Sequence, residues 1–113
     1  MKIKQFYIYL VNLDPQFGTE PGKVRPVVVV QTNLLNPSHY STIVCPTTTK
    51  VKPDATLLRV HLCKKETKLK EDSDILVDQI RSVDNRRFIK EIGKISQKNK
   101  EKLIQNLQII LFE

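Results

Sequence analysis

The sequence predicts a mainly β fold with helices, a small and strongly bent sheet or barrel followed by one C-terminal helix. Three observations lead there. The chain has 113 residues, enough for one modest core and too few for two, so residues 1–113 are expected to form a single domain. Short apolar runs recur between Pro, Gly, Asn and Ser punctuation, and only the last stretch repeats with a helical period.

The elements follow in order. Tyr7 to Leu13 concentrates β-branched and aromatic residues and is stopped by "LDPQ", which predicts the first strand. Gly18, Pro21 and Gly22 make 16–24 a long connection, and long loops in small domains often carry function. Val27 to Gln31 is a continuous apolar strand, which implies cover on both faces. "TNLLNPSHYS" reads as turn and loop, and Thr42 to Cys45 as a third strand ended by Pro46.

In "TLLRVHLC", residues 56–63, Leu58, Val60 and Leu62 share one face, and Arg59 and His61 the other. "KKETKLKEDSD" is a charged, solvated turn region in which Lys64, Lys65, Lys68 and Lys70 alternate with acidic residues. Ile75 to Val83 predicts one further strand, with Gln79 and Arg81 on the face of Ile75 and Val77. Asp84 caps a short helical turn over "NRRFIKE", and "IGKI" is a last short strand. A helix then starts at Ser96, its buried face built from Leu103, Ile104, Leu107, Ile110 and Leu111.

Composition narrows the partners. Lys and Arg outnumber Asp and Glu by 19 to 12, a formal charge of +7, so a polyanion is the natural ligand. The apolar run Phe6 to Val11 is too short for a membrane span or a secretory leader, so a cytoplasmic protein is expected. Cys45 and Cys63 stand alone in strand-like segments, without the spacing of a zinc site, and are expected to be buried free thiols. No metal box, nucleophile elbow or phosphate loop is present, and no cofactor is called for.

The candidate chemistry gathers at strand ends, where a rigid sheet fixes side chains and loops admit a substrate. Arg25 opens the second strand, and a guanidinium at the mouth of a buried strand is costly to desolvate unless it meets an anion. Glu20 lies between the loop glycines, Thr47 and Thr48 follow the third strand, and Gln79 and Arg81 sit on a late one. His39 and His61 are the alternative proton carriers, although loop and surface histidines usually serve no catalytic purpose.

Taken together, "VNLDP", "GTEPGKVRPVVVVQ", "VCPTTT" and "DSDILVDQIRSVD" closely resemble the MazF/PemK/Kid family of bacterial toxins, in order and in spacing, from about Tyr9 to Leu111. Where the family usually opens its first strand with Gly-Asp, this chain has Phe6 and Tyr7. The resemblance implies a small SH3-like barrel of the MazF/CcdB-like type, working as a homodimer and silenced by an acidic, MazE-like antitoxin. It implies a metal-independent endoribonuclease that cuts single-stranded RNA at short sequences, leaving a 2′,3′-cyclic phosphate and a 5′-hydroxyl. By position, Arg25 and Thr48 fall at the catalytic centre, with Glu20 near the scissile phosphate and the expected general base. Phe17, Thr19, Asp78 and Gln79 match base-contacting positions, and Lys23, Thr47 and Arg81 complete the expected RNA-contact set. A non-catalytic, CcdB-like topoisomerase inhibitor on the same scaffold and a plain nucleic-acid-binding module are the competing expectations. The apolar C-terminal "LQIILFE" anticipates a second protomer or a partner chain as cover.

Overall fold

The computed structural model describes residues 1–112. Along the chain run β1 (Tyr7–Asn12), β2 (Val24–Val29), β3 (Ser41–Thr48), β4 (Arg59–Leu62), α1 (Lys64–Thr67), β5 (Ser73–Leu76), β6 (Arg81–Asp84), β7 (Phe88–Lys94) and α2 (Gln97–Phe112). All strand pairs are antiparallel, in the order β4-β5-β3-β2-β1-β7, with β6 also paired to β3. Among the described residues no ladder joins β4 to β7, so the bent sheet is an open barrel.

The eight residues of β3 are the hub. One edge pairs with β2 through Val29, Val28 and Val27, while the other pairs first with β6 (Ser41–Val44) and then with β5 (Thr47 and Thr48). This changeover explains two departures from expectation. Pro46 does not end the strand, because it stands between the stretches paired to β6 and β5, where its missing N–H leaves no ladder bond unmade on that edge. The single strand expected over 75–83 is broken by a 3₁₀ turn at Val77–Gln79, which carries the chain from one half of β3 to the other.

Alternate residues of β1 and β2 enter two cores. Ile8 and Val28 join Cys45, Val60, Leu62, Ile75, Val77 and Leu103 beneath α2. Tyr9, Val11, Val27 and Val29 join Val44 and Val83 on the opposite face. The unbroken apolar run of β2 is therefore covered on both faces. The N-terminal segment supplies part of that cover, where the buried Tyr9 hydroxyl donates to the Lys2 carbonyl (3.0 Å) and accepts from the Lys4 amide (2.8 Å).

Phe6 adopts a left-handed φ of 65°, so the turn that opens β1 keeps a glycine-like geometry without glycine. That conformation costs about 1–2 kcal/mol for an L-residue. It is held by bonds from the Phe6 amide to the Val29 carbonyl (2.7 Å) and from the Ile95 amide to the Phe6 carbonyl (3.2 Å).

The charged region after β4 is more ordered than its composition suggests. It forms the single turn of α1, ends on Lys68 at a left-handed φ of 66°, and buries Thr67 and Leu69. Gly93 of β7 lies against this cap, where a Cβ would meet the Thr67 carbonyl oxygen at 2.6 Å. Asp84 does cap the next turn, accepting from the Arg86 amide at 2.8 Å, but only Asn85–Arg87 are helical and β7 begins at Phe88. Leu58 precedes β4 and is exposed.

In α2, Ser96 accepts the Asn99 amide (3.2 Å) as an N-cap. The buried stripe runs through Leu103 and Asn106, with Leu107 and Ile110 partly covered; Ile104 and Leu111 face outward with Ile109 and Phe112. The stripe is rotated because Asn106 turns inward to donate to the Thr56 carbonyl (3.1 Å), anchoring the helix to the segment before β4. Cys45 is buried, which pushes its thiol up to about 12, whereas Cys63 is exposed because the chain leaves the sheet there.

Candidate active site

Arg25, the second residue of β2, lies between two neighbours. It pairs with Val11 of β1, and carrying the β2–β3 register two residues beyond Val27↔Pro46 sets it opposite Thr48. Its guanidinium donates from Nε to the Gly22 carbonyl (2.9 Å) and from Nη1 to the Thr47 carbonyl (3.0 Å). Both acceptors are neutral, and among the described residues no carboxylate forms a salt bridge with it. Two of its five N–H groups are thus fixed, and an undiminished charge is left to meet an anion.

The two threonines have different occupations. Thr47 is buried and its hydroxyl donates to the Pro26 carbonyl (2.7 Å), locking β3 to β2. Thr48 is half-buried, and its oxygen accepts the Lys50 amide (3.2 Å), so its hydroxyl hydrogen remains free to donate.

Arg25, Thr47, Thr48 and Thr49 line a cleft of about 750 Å³. Lys23 and Lys50 stand on the same wall, while Lys68 and Lys70 approach from the segment that follows α1 and Lys90 from β7. Glu71 and Glu91 are the carboxylates of the lining, and Glu91 is engaged with Lys4 at 3.0 Å. The ensemble is a strongly cationic groove around a pre-oriented guanidinium, suited to a phosphodiester and the charge that develops on it.

Four of the residues singled out in the sequence, Lys23, Arg25, Thr47 and Thr48, therefore meet in one cleft. Phe17, Thr19 and Glu20 lie on the exposed loop before β2 and are not part of its lining; the Glu20 amide closes a tight turn onto the Phe17 carbonyl (3.0 Å). Asp78 and Gln79 occupy the 3₁₀ turn and Arg81 begins β6, also outside the lining. Nη1 of Arg81 is buried and has no hydrogen-bond partner among the described residues. His39 is exposed and bonded near Ser41, and His61 is bonded to Asp74; neither borders the cleft.

Sequence reasoning missed Lys68, Lys70 and Asp74. By composition the lysines belong to a solvated turn, yet they flank the buried Leu69, and that local alternation is the signal for an ordered wall. Asp74 closes the same charged stretch in the sequence, but it is the fully buried second residue of β5.

Residues 4–111 match the model of the PemK-like, MazF-like toxin of type II toxin-antitoxin systems. The chain belongs to this family. Endoribonuclease EndoA of Bacillus subtilis (strain 168) is 32% identical over 111 residues, covering 98% of this chain and 96% of that protein. The crystal structure of MazF (Form-I) from Deinococcus radiodurans superposes with a TM-score of 0.84 at 22% identity, covering 100% of this chain and 99% of that one. A MazE-MazF structure (Form-III) from the same organism gives 0.78 at 22% identity, covering 98% and 97%. The open, bent sheet with its C-terminal helix is thus the fold of MazF. No described helix is long and apolar enough to cross a membrane.

Proposed function

We propose that this MazF/PemK-family chain is the toxin of a toxin-antitoxin pair and a sequence-specific, metal-independent endoribonuclease acting on single-stranded RNA in the cytoplasm. The observation that carries this reading is the uncompensated Arg25 guanidinium, tied to two carbonyls beside Thr48 in a lysine-walled cleft. The similarity to EndoA, an endoribonuclease, supports it.

RNA contains its own nucleophile. The ribose 2′-hydroxyl loses its proton and attacks the adjacent phosphorus, the O2′–P bond forms, and the P–O5′ bond breaks as the leaving oxygen takes up a proton. The products are a 2′,3′-cyclic phosphate and a 5′-hydroxyl. Arg25 balances the added charge on the phosphorane and supplies N–H groups to its oxygens, and Thr48 donates to another.

Glu20 is the proposed base. It reaches the reaction when the exposed loop folds onto bound RNA, carrying Phe17 and Thr19 toward the bases. Asp78, Gln79 and Arg81 contribute to reading the bases from the 3₁₀ turn and β6. Single-turnover rates of Glu20→Gln should fall at least about tenfold, with the acid limb of the pH profile altered, as for loss of a general base. An unchanged Glu20→Gln and a slow Glu71→Gln would transfer the role to the carboxylate that already lines the cleft.

The toxin works as a homodimer, with the exposed Ile104, Ile109, Leu111 and Phe112 of α2 as apolar surface for a second protomer. An acidic, MazE-like antitoxin silences it by complementing the +7 charge and occupying the cleft. The MazE-MazF structures of the Deinococcus radiodurans relative support such a partner. Incubation of the purified protein with labelled single-stranded RNA in EDTA should give cuts at a short sequence, with the expected cyclic phosphate ends. Binding without cuts would replace the enzyme with a binding module, and neither binding nor cuts would favour an inhibitor of another target.

A further inference from the structure

Asp74 has no exposed surface, yet it carries a carboxylate. Burying such a group is costly unless its oxygens are fully engaged, and here they are. Oδ1 lies 2.5 Å from Nδ1 of His61, and Oδ2 accepts from Nη1 of Arg59 (3.0 Å) and from the Lys52 amide (2.8 Å). Nη1 of Arg59 also donates to the Lys50 carbonyl (2.9 Å).

The two backbone groups held this way, at Lys50 and Lys52, belong to the segment that leaves β3 just after Thr48. That segment lies outside every strand ladder, so side-chain bonds supply its anchorage. Asp74 is also the cross-strand neighbour of Thr48 in the β3–β5 ladder, and of His61 in the β4–β5 ladder. The connection closes on the cleft, because the Lys50 amide donates to the Thr48 hydroxyl oxygen at 3.2 Å. With that lone pair occupied, the Thr48 hydroxyl hydrogen points its donation elsewhere.

We infer that Asp74, held by Arg59 and His61, is a positioning residue that fixes the Thr48 hydroxyl for the reaction. The inference rests on the reading of the cleft as a ribonuclease site. Asp74 touches no substrate; it clamps the strand exit whose Lys50 amide orients Thr48. Misplacing a reacting group by about 1 Å can cost roughly 100-fold in rate, so a freed exit segment has a kinetic signature.

The test is a mutant cycle on the full-length protein, read by single-turnover cleavage of labelled single-stranded RNA and by RNA affinity. Asp74→Asn should lower the rate at least about tenfold and leave RNA affinity within about threefold. In a Thr48→Ala background the same change should have little further effect, because both act through one hydroxyl. Multiplying losses, or a loss confined to affinity, would overturn the proposal.

His61 is the exposed end of the cluster, with 40% of its side chain accessible, so His61→Ala tests the same route if Asp74→Asn does not fold. His61→Ala should slow cleavage about three- to tenfold, and His61→Asn, whose amide N–H takes the place of Nδ1–H, should restore most of it. A rate equal to wild type in His61→Ala, or no rescue in His61→Asn, would count against the cluster.

Amide hydrogen exchange supplies a readout independent of RNA. In His61→Ala or Asp74→Asn, exchange at Lys50 and Lys52 should rise at least about tenfold while β7 amides keep their protection. Unchanged exchange at those two amides refutes the positioning. A wild-type protein that cuts no RNA yet shows the exchange effect refutes the ribonuclease reading and leaves the clamp standing.

Discussion

Replacing Arg25 by lysine is expected to lower single-turnover RNA cleavage about 10²–10³-fold, the usual cost of losing one preorganised donor at a developing oxyanion. The charge survives the substitution, but the geometry does not. Nε and Nη1 of Arg25 bond to the Gly22 and Thr47 carbonyls, and this two-point attachment fixes the plane in which the remaining N–H groups project. An ammonium on a flexible stem cannot make both bonds and still present a fork to phosphate. RNA affinity should change less than about threefold, since Lys23, Lys50, Lys68, Lys70 and Lys90 still surround the cleft. The loss should therefore fall in the chemical step and not in binding. A lysine variant that cleaves within about fivefold of wild type would reduce Arg25 to a general source of positive charge.

Leu103→Ala should destabilise the fold by about 3–5 kcal/mol, the range for emptying a fully buried leucine site. Leu103 is the one apolar residue of α2 with no exposed surface, and it is packed with Val60, Leu62, Ile75 and Val77. That loss is a large share of a total stability of about 5–15 kcal/mol. A thermal melt should show the midpoint lowered by roughly 10–20 °C. Ile104→Ala on the outer face should cost under about 1 kcal/mol to an isolated protomer, because Ile104 is 37% exposed. A concentration-dependent and much larger loss for Ile104→Ala would show that this face is covered by a second copy.

The sequence disclosed those features that depend on local pattern. Alternation, together with the unbroken valines of β2, located the strands, and serine and aspartate located the caps at residues 96 and 84. Features decided by pairing were hidden. Nothing near Pro46 announces that β3 exchanges one partner for another there, and the resulting break in the 75–83 run follows from that exchange. The helical face was misjudged for a related reason, since Asn106 is drawn inward by a carbonyl fifty residues earlier in the chain.

The site was legible to the same degree. Arg25 and Thr48 belong to blocks of recognisable spacing and line one cleft from two adjacent strands. Asp74 sits in a stretch dense with charge, where one carboxylate cannot be told from its solvated neighbours without the fold. Lys68 and Lys70 were obscured in the same way and turn out to border the cleft.

The chain order of the cleft has a consequence during synthesis. Its walls draw on Leu10 at one extreme and Ile92 at the other, so the last contributor appears only when β7 has been made. A growing fragment that ends before β5 lacks the neighbour of Thr47 and Thr48 and holds no complete cleft. The groove is therefore assembled only once β5 and β7 have joined the strands made before them.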